Sequence, residues 1–212
     1  MGCPYHVNAI WDNVDVPRTR EFEFQLHGVE RQLRLCQKIS RLGLKAQPLG
    51  ESLRQIVTLT AEFMQADSCL LYLLSGGELV LCAACGPNPG AVGEVRLRLD
   101  EGLTGWVARE RRMVAISREA FQDPRFKYFR DLPEDTFEAF LSAPVIVRNR
   151  VLGVINVQHR GVHAHSGDEI EMLTMVGEQI GALAAAAALE PAVFDRAEWA
   201  GMVIGPRVPV ME

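Results

Sequence analysis

The sequence predicts an α+β domain in which helices gather on one side of an antiparallel sheet. Three observations support this fold class. Apolar residues recur at helical spacing near both ends of the chain, short apolar runs with strand character fill the middle, and tight turns join neighbouring runs. The elements follow in the order helix, helix, three strands, short helix, strand, loop, two strands and helix. With 212 residues and 48% apolar content, the chain suits one domain with extensions.

The chain begins with a segment, residues 1–21, that is predicted as an irregular lead-in. A signalling and dimerisation helix is predicted over residues 22–47, because apolar residues fall there at steps of three and four. This stripe comprises positions 22, 26, 29, 33, 36, 39 and 42. A stripe this long and narrow favours pairing with a second copy of the chain, so we expect a homodimer. The alternative is packing against the chain's own domain.

The central domain is predicted over residues 48–190. Its first two helices are predicted at residues 49–66 and 100–112, and its six strands at residues 68–74, 78–86, 94–99, 113–117, 140–149 and 150–160. Tight turns are predicted at Gly76-Gly77 and at Asn149-Arg150, where strand-like runs meet directly. Residues that alternate between charged and apolar in the third strand predict that one of its faces is wet.

The last helix is predicted to begin at Ser166, whose spacing from Glu169 is that of a capping box, and to end at Leu189 before Pro191. Residues 191–212 form a tail without a clear period. No apolar run approaches the roughly 20 residues of a membrane span. The N-terminus lacks the basic and apolar regions of a signal peptide. We therefore expect a cytoplasmic protein with no membrane partner.

The net charge, the cysteines and the histidines give little support for the binding of nucleic acid, a metal or a cofactor. The net charge of −5 disfavours nucleic acid, and an odd count of five cysteines disfavours a disulfide framework. Cys82 and Cys85 form a single CxxC pair inside an apolar run, so a structural role is favoured over redox or metal chemistry. His159, His163 and His165 are candidate metal ligands, but we interpret them as a solvated turn before a capped helix. No metal and no cofactor are expected.

One loop, residues 118–138, combines aromatic residues with interleaved cations, most densely in the stretch QDPRFKYF (122–129). Two interpretations compete. Either the rings anchor a long loop to the sheet while the charges face water, or one or two cations point inward and bind an anionic metabolite between aromatic walls. Arg125 is the best candidate among the cations, because a guanidinium pairs bidentately with carboxylate or phosphate.

Four stretches have the character of motifs: ADSCLLYLL (66–74), DEGLTGWVARERRMVAIS (100–117), FLSAPVIVRNRVLGVINVQHR (140–160) and HSGDEIEMLTMVGEQIGALAA (165–185). Together they resemble the GAF domain, a family of small-molecule-sensing domains in signalling proteins. The stretch DPRFKYF…FEAFLSAPV looks most like the GAF domains of nitrogen-branch phosphoenolpyruvate phosphotransferases and of regulators that couple GAF sensing to an antiterminator module.

The resemblance implies a six-stranded antiparallel sheet with the first and last helices on one face and a lid loop, residues 118–138, on the other. In the family, ligands lie between the sheet and this loop. Free methionine-(R)-sulfoxide reductases of this fold place cysteines around the pocket, whereas residues 86–212 contain none. Because thiolate chemistry needs a nucleophile in the pocket, we expect no enzymatic activity and no catalytic residues.

The candidate ligand-binding residues lie on the short helix, the lid and the last two strands: Trp106, Phe121, Arg125, Phe126, Tyr128, Phe129, Ser142 and Asn156. Ser142 and Asn156 interrupt apolar strands, and a buried hydroxyl or amide needs a partner that a ligand can supply. We expect a non-catalytic sensory domain that binds a small ligand, with an anion as the candidate. It would signal through its terminal helices to a downstream partner. The alternative is an interaction module with a collapsed pocket.

Overall fold

The computed structural model describes residues 16–87, 89–126 and 137–189. The predicted tail, residues 191–212, and the first 15 residues of the predicted lead-in lie outside this part. The helices are α1 (Val16–Leu42), α2 (Leu49–Met64), α3 (Gly102–Glu110) and α4 (Gly167–Leu189), and the strands are β1 (Ser68–Ser75), β2 (Glu78–Cys85), β3 (Arg96–Arg98), β4 (Val114–Ile116), β5 (Ala139–Val147) and β6 (Arg150–His159). This order confirms the predicted α+β class.

The six strands form one sheet in the order β3-β2-β1-β6-β5-β4, in which all neighbours are antiparallel. Gly76 and Gly77 form the turn between β1 and β2 with φ values of 59° and 90°. The turn between β5 and β6 lies at Arg148 and Asn149, one residue earlier than predicted, and both residues have positive φ. Positive φ at both central positions is the geometry that suits the twist of a two-residue hairpin.

One face of the sheet is covered by α2 and α4. These helices and the strands beneath them form the larger apolar cluster, in which Leu53, Ile56, Leu71, Ile155 and Leu173 are fully buried. The α4 helix begins with the predicted capping box. The Glu169 N–H donates to Ser166 Oγ (3.2 Å) and the Ser166 N–H donates to Glu169 Oε2 (2.7 Å). Two of the donors that a helix start leaves unpaired are therefore satisfied.

One described helix meets the length and composition of a membrane span. It is the stretch Gly167–Ala187 of α4, whose mean hydropathy is 1.2. The stretch is not an uninterrupted apolar run, because Glu171 and Glu178 lie within it. Met172, Leu173 and Val176 are buried against the sheet, and the core helix of a soluble protein passes the same test.

The opposite face of the sheet carries α3 and a second, smaller apolar cluster that includes Tyr72, Leu97 and Val107. Gly105 allows the close approach of α3 to β3, since a Cβ atom there would lie 2.5 Å from the Arg98 carbonyl oxygen. The packing of α3 against β3 therefore explains the second glycine of the GLTGW motif. The two clusters place the sheet between two apolar layers, and the candidate site lies in the second.

The α1 helix begins at Val16, inside the segment that was predicted as irregular. Pro17 lies in the first turn of this helix, where proline is tolerated. The described chain falls into two units divided between Arg34 and Leu35. In the first unit, Leu26, Val29 and Leu33 are 60%, 59% and 57% exposed. In the second unit, the α1 residues Leu35, Ile39 and Leu42 are buried in the larger cluster.

Candidate functional site

A small cavity lies between the sheet and the α3 side of the domain and encloses about 20 Å³. This is room for about one water molecule. Apolar side chains form most of its wall: Leu70, Tyr72, Leu97, Leu103, Phe126 and Phe140. Three polar side chains, Thr104, Asn156 and Gln158, also line it. None of the described lining residues is charged, so the cavity combines apolar walls with neutral hydrogen-bonding groups.

A buried chain of hydrogen bonds connects the sheet to α3 beside this cavity. Ser142 and Asn156 are directly opposite on β5 and β6, and Ser142 Oγ donates to Asn156 Oδ1 (2.6 Å). Asn156 Nδ2 donates to Thr104 Oγ1 (2.8 Å). All three residues are buried. The protein itself therefore supplies the partners that the two strand residues need, and the Thr104 hydroxyl and the Asn156 amide border the cavity.

Of the described residues that line the cavity, only Phe126 and Asn156 were among the predicted ones, and two polar residues, Thr104 and Gln158, were missed. Asn156 and Gln158 are two residues apart on β6 and point to the same face of the sheet, so strand alternation is the signal that connects them. Thr104 lies between the two glycines of the sequence GLTG. Its contact with Asn156 spans 52 residues of sequence, and no local pattern indicates such a pairing.

Arg125 does not line the cavity in this structure but is held at its rim. Its guanidinium Nε and Nη2 donate to the two carboxylate oxygens of Asp123 (2.9 and 2.7 Å), and its backbone N–H donates to Asp123 Oδ1 (2.8 Å). The guanidinium carbon lies 4.5 Å from the centre of the Trp106 ring, a cation–π distance. The hydrogen bonds from Arg125 lower the pKa of Asp123 and raise that of Arg125 itself.

The base of the lid loop is closed by hydrogen bonds between its two ends. The Ala120 N–H donates to the Glu138 carbonyl oxygen (3.0 Å), and the Glu119 N–H donates to the Glu138 carboxylate (2.8 Å). Phe121 lies in the short 3-10 turn Ala120–Gln122, half-buried, and is not among the described residues that line the cavity. Phe126 does line it. The predicted site residues Tyr128 and Phe129 lie outside the described residues.

The three histidines that were interpreted as a solvated turn form a packed cluster. His159 is only 6% exposed, and its ring stacks on that of His163 with centroids 4.0 Å apart. The ring of His165 lies within 5.5 Å of both, centroid to centroid. Burial lowers the pKa of His159, and lowers that of His165 to about 4. The interpretation as a solvated turn is therefore wrong for His159, which is buried at the end of β6, whereas His163 and His165 do lie in the turn before α4 and are half-buried.

Three buried ring nitrogens of this cluster lack a hydrogen-bond partner, namely His159 Nε2 and both nitrogens of His165. An unpaired buried polar group costs about 1–3 kcal/mol of folding free energy. His163 differs, because its Nε2 lies 2.8 Å from the Glu169 carboxylate. The ligand atoms of the three histidines all lie within 4.8 Å of one another. These residues are therefore the group in the described chain that has the geometry to hold a metal ion.

Comparison with known proteins identifies the family. The family model of the GAF domain matches residues 48–183, which is more than half of the chain. The chain belongs to the GAF domain family. Among solved structures, the GAF domain of a phosphoenolpyruvate-protein phosphotransferase from Coxiella burnetii matches with a TM-score of 0.71 and 27% identity, over 77% of this chain and 98% of that one. The GAF fold expected from the motifs is confirmed.

Curated relatives agree with the subgroup that the lid and hairpin motifs indicated. A phosphoenolpyruvate-dependent phosphotransferase system protein of Escherichia coli (strain K12) is 31% identical over 140 residues, which are 65% of this chain and 19% of the relative. A Nif-specific regulatory protein of Azospirillum lipoferum is 25% identical over 68% of this chain and 24% of its own length. The chain thus spans a fifth to a quarter of these relatives. Family and relatives support a sensory or regulatory role for this GAF domain.

The described cysteines of this GAF domain lie away from the cavity. Cys36, Cys69, Cys82 and Cys85 form no disulfide, and they belong to, or pack against, the cluster beneath α2 and α4. Burial raises the pKa of Cys69 and raises that of Cys82 to about 11. These two thiols are therefore poor nucleophiles, because the thiolate is the reactive form. The fold itself is compatible with enzymes, since a free methionine-R-sulfoxide reductase from Thermoplasma acidophilum matches with a TM-score of 0.56 at 18% identity.

Proposed function

We propose that this GAF domain is a non-catalytic sensor that binds a small molecule between the sheet and the lid, residues 118–138. Binding would order the lid and shift a conformational equilibrium that reaches α1 and α4. The domain would act in the cytoplasm as a homodimer with a downstream signalling partner, and without direct contact with nucleic acid or membrane. The observation that carries the proposal is the buried polar chain of Ser142, Asn156 and Thr104 at the wall of a cavity that is otherwise largely apolar.

The neutral polar groups at the cavity would orient the ligand. Small-molecule sites combine apolar walls with a few placed hydrogen-bonding groups, and Thr104, Asn156 and Gln158 are such groups. The two hydrogen bonds of the buried chain use one N–H of the Asn156 amide and leave the other N–H of that group available. Because the cavity has room for about one water molecule, it must widen to admit a metabolite, and Phe126 of the lid is one of the walls that would move. Ligand binding and lid movement are therefore coupled in this proposal.

Arg125 would provide the anion selectivity that we propose for this site. Its guanidinium is held at the rim by Asp123 and Trp106, within one residue of the cavity-lining Phe126. A carboxylate or phosphate on the ligand offers the same bidentate geometry as Asp123. If a ligand anion replaced the Asp123 carboxylate, the hydrogen bonds between Arg125 and Asp123 within the lid would break. Binding of an anion and rearrangement of the lid would then be one event.

The homodimer would form through the exposed part of the α1 stripe. Leu26, Val29 and Leu33 follow one another at steps of three and four and are more than half exposed. Such spacing places them on one side of the helix, and an exposed apolar side of a long helix favours pairing with a second copy.

The proposal is tested by a thermal-shift panel of small metabolites, with and without anionic groups, on the tag-free chain. A hit should raise the melting temperature of the native protein and of Gln55→Leu, and should lose its effect on Gln158→Leu. Both variants exchange the glutamine amide for a smaller apolar side chain, but Gln158 lines the cavity whereas Gln55 lies on α2 and contacts Glu51. Equal shifts in both variants would place binding elsewhere.

A second candidate function is an interaction module with a collapsed pocket. The small volume of the cavity and the pairing of Arg125 with Asp123 favour it. Under this alternative, no metabolite in the panel changes the melting temperature. The Gln158→Leu substitution would then stabilise the domain or leave it unchanged, because a buried amide without a ligand contributes little that leucine does not.

A further inference from the structure

We propose that His159, His163 and His165 form a binding site for a divalent first-row transition metal ion, for which Zn²⁺ is the best-fitting candidate. The site is separate from the cavity under the lid, because none of the three histidines lines that cavity. It lies where β6 ends and the turn before α4 begins. Imidazole nitrogen is a preferred ligand of zinc, copper, nickel and iron, whereas calcium and magnesium prefer oxygen.

The geometry of the cluster is close to that of a three-histidine site. One ligand atom from each ring lies within 4.8 Å of the other two. In a tetrahedral zinc site with Zn–N bonds of about 2.0–2.1 Å, ligand nitrogens are about 3.4 Å apart. The ligand atoms therefore need to approach by little more than 1 Å. The rings of His159 and His163 lie close, with centroids 4.0 Å apart, but they are nearly parallel (9°). Because a metal ion lies in the plane of each imidazole that binds it, one of these two rings must also turn about its side-chain bonds when the ion binds.

The unpaired nitrogens point to a ligand that the protein itself does not supply. His159 is buried at the end of a core strand, and its Nε2 has no hydrogen-bond partner. Both ring nitrogens of His165 are buried and unpaired as well. Buried polar groups in folded proteins are nearly always paired, so each exception requires an explanation. A metal ion would accept the lone pairs of His159 and His165 at the same point in space.

Glu169 completes the arrangement as an orienting residue. His163 Nε2 lies 2.8 Å from Glu169 Oε1, which leaves His163 Nδ1 outside this hydrogen bond and available to a metal. Metal-binding histidines characteristically donate their second ring N–H to a carboxylate, which fixes the ring and makes it a stronger ligand. The same carboxylate is held by the Ser166 N–H through its other oxygen (2.7 Å), so its position is set by the capping box of α4.

The site would join three parts of the domain. The backbone N–H of His163 donates to the Ser117 carbonyl oxygen (3.0 Å), directly before the lid begins. His159 belongs to β6, and Glu169 belongs to the first turn of α4. A bound ion would fix the start of the lid and the start of the terminal helix to the same strand. Three protein ligands leave a fourth position of a tetrahedral ion open to water or to an exogenous ligand.

The test is a titration of the tag-free, chelator-treated chain with Zn²⁺ by calorimetry, and with Co²⁺ by visible absorption. We expect stoichiometric binding with one ion per chain, a cobalt spectrum of tetrahedral type and a higher melting temperature with metal. The His165→Ala substitution should weaken binding by at least about tenfold, and Glu169→Gln by about 10–100-fold. The matched control is His27→Ala, which removes an exposed histidine on α1 and should leave binding unchanged.

A chain that binds no zinc stoichiometrically would overturn the proposal, as would a folded His165→Ala variant that binds as well as the native chain. Circular dichroism establishes whether each variant is folded. Should His165→Ala fail to fold, ring-nitrogen NMR of the native chain decides instead. Zinc should shift the resonances of His159, His163 and His165 and leave those of His27 in place, and shifts confined to other histidines would contradict the site.

Discussion

At the residue scale, the site depends on two sets of contacts that have different strengths. The chain from Ser142 through Asn156 to Thr104 is buried, so each of its hydrogen bonds replaces contact with water. Removal of one member leaves a buried polar atom unpaired, which costs more than the bond contributes. The contact of Arg125 with Asp123 lies at the rim, where solvent screens it. The buried hydrogen bonds should therefore hold α3 to the sheet, whereas the contact between Arg125 and Asp123 should break more readily.

The Thr104→Val substitution tests the buried chain. Valine has nearly the same shape but lacks the hydroxyl that accepts the hydrogen bond from Asn156. We expect the free energy of unfolding to fall by about 1–3 kcal/mol, because the amide is left unpaired in the core. Urea denaturation measures this difference.

The matched control for this substitution is Thr58→Val on α2. The Thr58 hydroxyl donates to the Arg54 carbonyl oxygen within its own helix (3.0 Å), near the surface. Its replacement should change the free energy of unfolding by no more than about 0.5 kcal/mol. Equal effects of the two substitutions would show that the contact with Asn156 contributes nothing specific.

Acidification tests the rim contact. Because Arg125 lowers the pKa of Asp123, the stabilisation from this contact is complete above the unfolded-state pKa of about 3.9 and is lost as the pH falls through the lower folded-state value. The guanidinium then leaves the Trp106 ring, and the tryptophan fluorescence should change in this acidic range. The signal is isolated by subtraction of the Trp106→Phe variant. Asp123→Asn should show no such transition, and a transition that persists in it would have another origin.

At the element scale, α1 has two parts with different surroundings. The residues from Leu35 onward belong to the larger apolar cluster, whereas Leu26, Val29 and Leu33 are exposed. The alternative of packing on the chain's own domain therefore holds for the residues from Leu35 onward. Pairing with a second copy through Leu26, Val29 and Leu33 stays a proposal.

The double substitution Leu26→Gln and Leu33→Gln tests this dimer contact. Glutamine keeps the helix propensity but removes the apolar surface, so a native dimer should become a monomer in light scattering coupled to gel filtration. The control is Leu44→Gln, which alters a leucine that is 86% exposed outside the stripe and should leave the dimer intact. A double variant that stays dimeric, or a native chain that is monomeric, would contradict the proposed role of α1.

The elements could be predicted where the signal is local and could not where it depends on the fold. The glycine turn after β1 and the capping box of Ser166 and Glu169 are encoded by neighbouring residues, and both were predicted correctly. The start of α1 was misplaced, because proline in a first turn looks the same in sequence as proline that breaks a helix. The β5–β6 turn was displaced by one residue for lack of a glycine to mark it.

The site was less predictable than the fold because its contacts are long-range. Ser142 and Asn156 were found as polar interruptions of apolar strands, but Thr104, which completes their chain, is 52 residues from Asn156. His159 was interpreted as part of the polar turn with His163 and His165, although the predicted last strand included it. The burial of its ring and its contacts with the other two rings depend on packing in three dimensions, which no local pattern indicates.

At the scale of the whole molecule, the sheet separates two layers with different tasks. The layer of α2 and α4 is a continuous apolar core, whereas the layer of α3 and the lid contains the cavity and the buried polar chain. In the proposed sensor, a ligand that enters the second layer would move the lid, and the change would reach α1 and α4, which contribute to the first layer.

The most direct test of the sensor is hydrogen exchange of the lid, residues 118–138, with and without a metabolite that native mass spectrometry or the thermal-shift panel identifies. The account predicts that the lid exchanges rapidly in the ligand-free chain and becomes protected when the ligand binds, while α2 is protected in both states. A lid that is already protected in the ligand-free chain, together with no ligand in either screen, would contradict the proposed sensor and favour the interaction module.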